Sequence, residues 1–153
     1  RETFLGVQLG AIGFMAAGIV LAGYWADATT PRRVLMAGCV LTVGTGLLLG
    51  PMLGSGSLFL IWAFLSLGLV MMGLVYGPLG AFLPSLFPAR VRYTGVSVAF
   101  NVGGILGGGL TPMAAQALAD RGGLTLVGFY LSAAALISFL ALLALRSRPD
   151  ALD

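Results

Sequence analysis

Polar residues along this chain are gathered into short breaks, and the stretches between them are apolar for about twenty residues or more. The apolar runs are Phe4–Trp25, Val34–Leu53, Leu58–Leu83, Val96–Leu118 and Leu126–Leu145. A run of about twenty apolar residues wound as an α-helix crosses the hydrocarbon core of a bilayer. Backbone amides at that depth have no water to bind, so each run is expected to satisfy its own hydrogen bonds as a helix. The pattern therefore predicts an all-α, polytopic membrane protein of five transmembrane helices, at about 4–25, 34–53, 58–83, 96–118 and 126–145, with the lipid bilayer as its first partner.

The breaks carry the charges. In the first, Gly23 and Asp27 precede Thr29-Thr30-Pro31-Arg32-Arg33. Asp27 falls where the first helix ends, facing that helix's negative pole, which is unfavourable without a compensating cation. Arg32 and Arg33 are the nearest candidates. Thr29 or Thr30 followed by Pro31 reads as a helix start, because a hydroxyl can cap orphan N–H groups and proline has none to lose. With the chain alternating sides, Arg32, Arg33, Arg90, Arg92, Arg146 and Arg148 share one face and only Arg1 and Arg121 the other. The richer face is expected to be cytoplasmic, so the chain would end inside. Gly54-Ser55-Gly56-Ser57 and Asp120-Arg121-Gly122-Gly123 become the outer turns.

Composition narrows the chemistry. The chain has 153 residues, 59% hydrophobic and 8% charged, with a mean hydropathy of +1.05; a soluble domain carries about 25% charged residues. A net charge of +3, from arginines scattered over the breaks, does not make a nucleic-acid surface. A lone Cys39 in an apolar run excludes an internal disulfide and a multi-cysteine metal site. No Asp, Glu, His, Lys or Arg lies inside any of the five runs, so an intramembrane enzyme would lack its acid, base or metal ligand. The expectation is a protein that is not an enzyme and has neither metal nor cofactor. Arg1-Glu2-Thr3 leads straight into an apolar run without a basic leader or cleavage site, which reads as an internal fragment without a signal peptide.

Helical spacing then picks out faces. Gly6, Gly10, Gly13 and Ala17 share one side of the first helix, where another helix is expected to approach, and Gln8, Ala11, Met15 and Gly18 the other. The second helix, with Thr42 and Thr45, reads as scaffold. On the third, Trp62, Ser66, Gly73 and Tyr76 fall together at about 100° per residue, and Gly77-Pro78 must interrupt the hydrogen-bond ladder. Asn101, Gly104, Gly108 and Thr111 form a stripe on the fourth. Gly103, Gly104, Gly107 and Gly108 read as a close-packing surface, since small residues at four-residue spacing let helices touch in lipid.

The opening break resembles the loop signature of the major facilitator superfamily, a Gly and an Asp four residues apart followed by a basic pair. Ala28 stands where that signature usually has a basic residue. The stretch from Gly77-Pro-Leu-Gly-Ala-Phe-Leu-Pro-Ser-Leu-Phe-Pro-Ala-Arg-Val-Arg-Tyr-Thr-Gly95 to Asn101-Val-Gly-Gly-Ile-Leu-Gly-Gly-Gly-Leu-Thr-Pro112 is similar to the tenth-to-eleventh helix region of the superfamily's metabolite:proton symporters. Ser85 stands where this branch often has Glu. The resemblance implies that residues 1–153 are the eighth to twelfth helices of a twelve-helix transporter, a C-terminal half lacking its first helix. It implies symport of a small organic acid or osmolyte with protons across a bacterial cytoplasmic membrane by alternating access, the N-terminal half supplying the proton site. Gly23, Asp27, Arg32 and Arg33 would be a conformational latch, with Arg90 and Arg92 in a second cytoplasmic loop. Gln8, Trp62, Ser66, Tyr76, Asn101 and Thr111 would line the substrate cavity. A structural or channel-forming subunit is the alternative from composition alone.

Overall fold

The computed structural model describes residues 2–145. Helix α1 (Glu2–Ala28), α2 (Pro31–Leu53) and α3 (Leu58–Phe82) follow one another through short joints. A 3-10 turn (Leu83–Leu86) and an irregular corner lead to α4 (Arg92–Ile105). A wider π-wound turn (Leu106–Leu110) then runs without interruption into α5 (Thr111–Ala144).

Among the described residues four continuous helical assignments are long and apolar enough to cross a membrane, where the apolar runs predict five. The difference lies at the expected outer turn of residues 120–123. The fourth stretch, Arg92–Ala144, has 53 residues, about 80 Å of straight helix at 1.5 Å per residue, more than twice the hydrocarbon thickness. It is broken at Gly122 (φ −148°, ψ 17°) and Gly123 (φ 72°, ψ −166°). The positive φ at Gly123 is open to glycine and strained for other residues. Beyond the break the chain doubles back: Thr111 Oγ1 and Tyr130 Oη lie 3.4 Å apart, although nineteen residues of straight helix would separate them by about 28 Å. Two glycines thus reverse the chain where a loop is expected, and helical winding reaches them from both sides.

The joint between α1 and α2 forms as its residues dictate. Thr30 has an extended backbone and its Oγ1 accepts from the Arg33 N–H at 3.4 Å, with Pro31 in the first turn. Thr29 serves the other helix, donating to the Trp25 carbonyl at 2.7 Å.

Packing is organised around two pairs. Helix α1 lies parallel against α3, and α2 lies antiparallel against the part of α5 beyond Gly123, with α2 also touching α3. Close backbone approach makes both contacts. A Cβ on Gly18 would sit 2.6 Å from the Val70 carbonyl oxygen, and one on Gly73 2.5 Å from that of Met15. A Cβ on Gly46 would lie 2.8 Å from the carbonyl oxygen of Gly128. The face of α1 in contact is that of Ala11, Met15 and Gly18, while Gly6, Gly10 and Gly13 meet open space. No helix among the described residues approaches on the expected Gly6 side; α3 instead seats its own Gly73 and Gly77 against the turn of Gly18.

Leu35, Cys39, Phe82 and Leu142 form one buried cluster. It brings the start of α2, the end of α3 and the end of α5 to the same level, so the joint at 29–30, the corner at 87–91 and residue 145 share one face. This is the side-by-side arrangement that alternation predicts. Arg1, Arg146 and Arg148 lie outside the described residues. The described surface is large and apolar. The chain exposes 9938 Å², against about 7,300 Å² for a compact soluble protein of its 15.7 kDa, and Leu9, Leu58, Phe59, Ile105, Met113 and Ile137 are all exposed. Such a surface belongs against lipid or other helices.

Candidate functional site

The residues marked out as cavity candidates separate into two groups. On α1 and the first half of α3, Phe14 and Trp62 meet edge to face, 5.7 Å between ring centroids. Gln8 is exposed and lines a hollow of about 220 Å³ with Val7, Ala11, Leu65 and Leu69. Ser66 lies one helical step away but is buried at 7% exposure, and its Oγ has no hydrogen-bond partner among the described residues. It lines neither this hollow nor the others described here.

The second group surrounds Tyr76. This side chain is 47% exposed and meets Phe100 of α4 edge to face at 6.1 Å. It stands between two apolar hollows. One, of about 320 Å³, is bounded by Leu79, Leu83, Ala99, Phe100, Gly103 and Gly104. The other, of about 390 Å³, is bounded by Thr42, Thr45, Met71, Met72, Val75 and Leu131, among others. Trp62, Ser66, Gly73 and Tyr76 therefore share a stripe in projection without sharing surroundings: Ser66 and Gly73 turn into the bundle, and Tyr76 looks toward α4.

Asn101 sits beside that region but spends its amide locally, Nδ2 donating to the Ser97 carbonyl at 2.8 Å. Thr111 meets Tyr130 at 3.4 Å. Both are exposed, as is every residue from Phe100 to Met113. Gly103, Gly104, Gly107 and Gly108 meet nothing within 4 Å of an added Cβ. No helix among the described residues uses the close-packing surface they offer.

Thr42 and Thr45, on a helix whose pattern reads as scaffold, line the hollow of about 390 Å³. Their hydroxyls donate to Gly38 and Leu41 carbonyls of their own helix at 2.7 and 2.9 Å, so they contribute methyl groups rather than free hydrogen bonds. Their three-residue spacing was visible, but which neighbour they faced was not.

At the joint, Gly23 is half-buried and Asp27 exposed. Among the described residues the Asp27 carboxylate makes neither an ion pair nor a hydrogen bond. Arg33 is exposed, while Arg32 is half-buried and its guanidinium donates to the end of α5. On the same face, Arg92 Nε donates to the Phe87 carbonyl at 3.3 Å and lines a hollow of about 510 Å³ with Pro84, Ala89, Tyr93, Val96 and Ser97. Arg90 is exposed. Ser85 donates to the Phe82 carbonyl within its own turn. Among the described residues no group of His, Cys, Asp and Glu is placed to hold a metal ion.

Helices of this length and surface, with charged side chains confined to their ends and to the break at Gly122–Gly123, define a multi-pass membrane protein. Comparison with known proteins gives that class a content. The chain is 44% identical over 94% of its length to the inner membrane metabolite transport protein YhjE of Escherichia coli (strain K12), of which it covers 32%. It is 36% identical over 94% of its length to a putative metabolite transport protein of Haemophilus influenzae, covering 33% of it. It is 27% identical over 74% of its length to the ectoine/proline transporter ProP of Corynebacterium glutamicum, covering 22%. No family model and no solved structure matches the chain. The chain is thus a relative of metabolite transport proteins, not of enzymes, and spans about a third of the length of the curated relatives first matched.

Proposed function

We propose that the chain forms the C-terminal part of a secondary active transporter of the major facilitator superfamily, in its metabolite:proton symporter branch. The whole carrier would move a small organic acid or osmolyte across a bacterial cytoplasmic membrane by alternating access, with proton symport. The observation that carries this reading is the 44% identity along nearly the entire chain to an inner membrane metabolite transport protein. Glycine-rich, interrupted helices add support, since transporters build their sites from such segments near the bilayer midplane.

In this reading Gln8, Trp62, Tyr76, Asn101 and Thr111 contribute shape and neutral hydrogen bonds to the substrate side. Ser66, which is buried, would act through helix position. The joint of Gly23, Asp27, Arg32 and Arg33 would switch between states, and with Arg90 and Arg92 it would face the cytoplasm, together with the C-terminus. Membrane proton relays use ionisable groups at depth. The described charged groups stand at helix ends or beside the Gly122–Gly123 break, so the proton site would belong to the N-terminal half.

The test is uptake into proteoliposomes by the full-length carrier under an imposed inward proton gradient, with a panel of small organic acids and zwitterionic osmolytes including proline. Accumulation that collapses with a protonophore is the expected result. Equal entry with and without the gradient would remove proton symport, and entry of no panel member would count against a metabolite carrier.

A further inference from the structure

Arg32 opens α2, yet its guanidinium reaches the far end of the described chain. Nε and Nη2 both donate to the carbonyl oxygen of Leu142, at 3.1 and 2.7 Å, and Nη2 comes within 3.4 Å of the Leu143 carbonyl. These acceptors belong to the last turn of α5, where carbonyls outrun the supply of intrahelical N–H donors. They also stand at the helix's negative pole, which favours a cation. Among the described residues Asp27, the carboxylate nearest Arg32 in sequence, forms no ion pair or hydrogen bond with it. Ser85, on the same face, offers no charge and is occupied by the Phe82 carbonyl.

We propose that Arg32 is a two-pronged cap on the end of α5, fastening the last helix to the joint between α1 and α2 through backbone carbonyls rather than through a carboxylate. The burial around it fits this role. Arg32 is half-buried, and the side chain of Leu142 packs into the cluster of Leu35, Cys39 and Phe82. The joint and the end of α5 are therefore held as one body by a polar clasp laid over an apolar contact. A planar guanidinium places two N–H groups on one oxygen and reaches a second; a lysine ammonium is a single, strongly hydrated point that cannot reproduce the fork.

Hydrogen exchange on the full-length carrier in lipid nanodiscs tests the cap. The probe is the Leu145 N–H, which bonds to the Ala141 carbonyl at 2.8 Å in the same last turn. Arg32→Gln is expected to speed its exchange about tenfold, Arg32→Lys to resemble Arg32→Gln more than the native protein, and Arg33→Gln to leave it unchanged. Native protection in Arg32→Gln, full restoration by lysine, or an equal effect from Arg33→Gln would each overturn the proposal. Should the Arg32 variants fail to fold, the native protein still decides. The Arg32 Nε–H should exchange with water several-fold more slowly than that of exposed Arg33, and equal rates would overturn the cap.

Discussion

A Cβ added to Gly46 would come 2.8 Å from the Gly128 carbonyl oxygen, while one added to Gly104 would meet nothing within 4 Å. The two glycines lie in apolar helices of one chain and differ in whether a partner is present. Around Gly46 and Gly128, as around Gly18 and Gly73, glycine lets two backbones touch, and helix association in lipid rests on that contact because the tails are as apolar as the side chains. Around Gly104 the same residue type leaves a helix uncovered from Phe100 to Met113, wound more widely at Leu106–Leu110. The chain thus contains a frame that closes on itself and a segment whose glycines meet no partner among the described residues. In the proposed carrier a partner surface would come from the remaining two-thirds of the transporter.

The contrast breaks most severely at its tight end. Gly46→Leu should lower the stability of the protein by about 3 kcal/mol, the upper part of the range for overpacking a core, because backbone on the facing helix cannot step aside as a side chain would. Thermal unfolding in detergent micelles measures this, and a native midpoint would show that the α2–α5 contact is looser than its distances.

The open end is sharpened in the full-length carrier. Tyr76→Ala, which empties the wall between the two hollows beside α4, is expected to weaken substrate affinity about tenfold, or roughly 1.4 kcal/mol. Ser138→Ala serves as control, since Ser138 only donates to Ala134 of its own helix. Equal losses from both substitutions, read in equilibrium binding, would dissolve the distinction between cavity and frame.

Smaller effects probe the α1–α3 pair. Phe14→Leu removes an edge-to-face contact and should cost about 1 kcal/mol beyond lost area. Ser66→Ala should be neutral or stabilising by up to about 1 kcal/mol, because the buried hydroxyl is unpaired among the described residues and its removal relieves a desolvation cost. A clear destabilisation of Ser66→Ala in thermal unfolding would mean that the hydroxyl has found a partner.

What was legible in the sequence follows the range of the interaction. Thr30-Pro31 marks the start of α2 because a cap and a first-turn proline act within three residues, and the apolar runs mark where long apolar helices form, four among the described residues rather than five. The reversal at Gly122–Gly123 was flagged at the right place but read as a loop, since composition says where helix is weak and not how far it persists. Which side of α1 would be buried was not legible: both sides carry small residues, and α3 made the choice. Arg32 was grouped with Asp27 by closeness in sequence, whereas its acceptors lie 110 residues away. Trp62, Ser66, Gly73 and Tyr76 share one projected face of α3, yet Ser66 is buried and Tyr76 open, a difference set by neighbours that no periodicity encodes.

The comparison between the closed frame and the open segment is tested most directly by Gly104→Leu measured twice. In the 153-residue chain alone the thermal unfolding midpoint should match that of the native chain, because the added side chain meets nothing within 4 Å of its first carbon. In the full-length carrier the same substitution should reduce transport at least tenfold, because the glycine surface would there be covered by the rest of the transporter. A midpoint lowered as far as that of Gly46→Leu, or native transport by the full-length variant, would contradict the account.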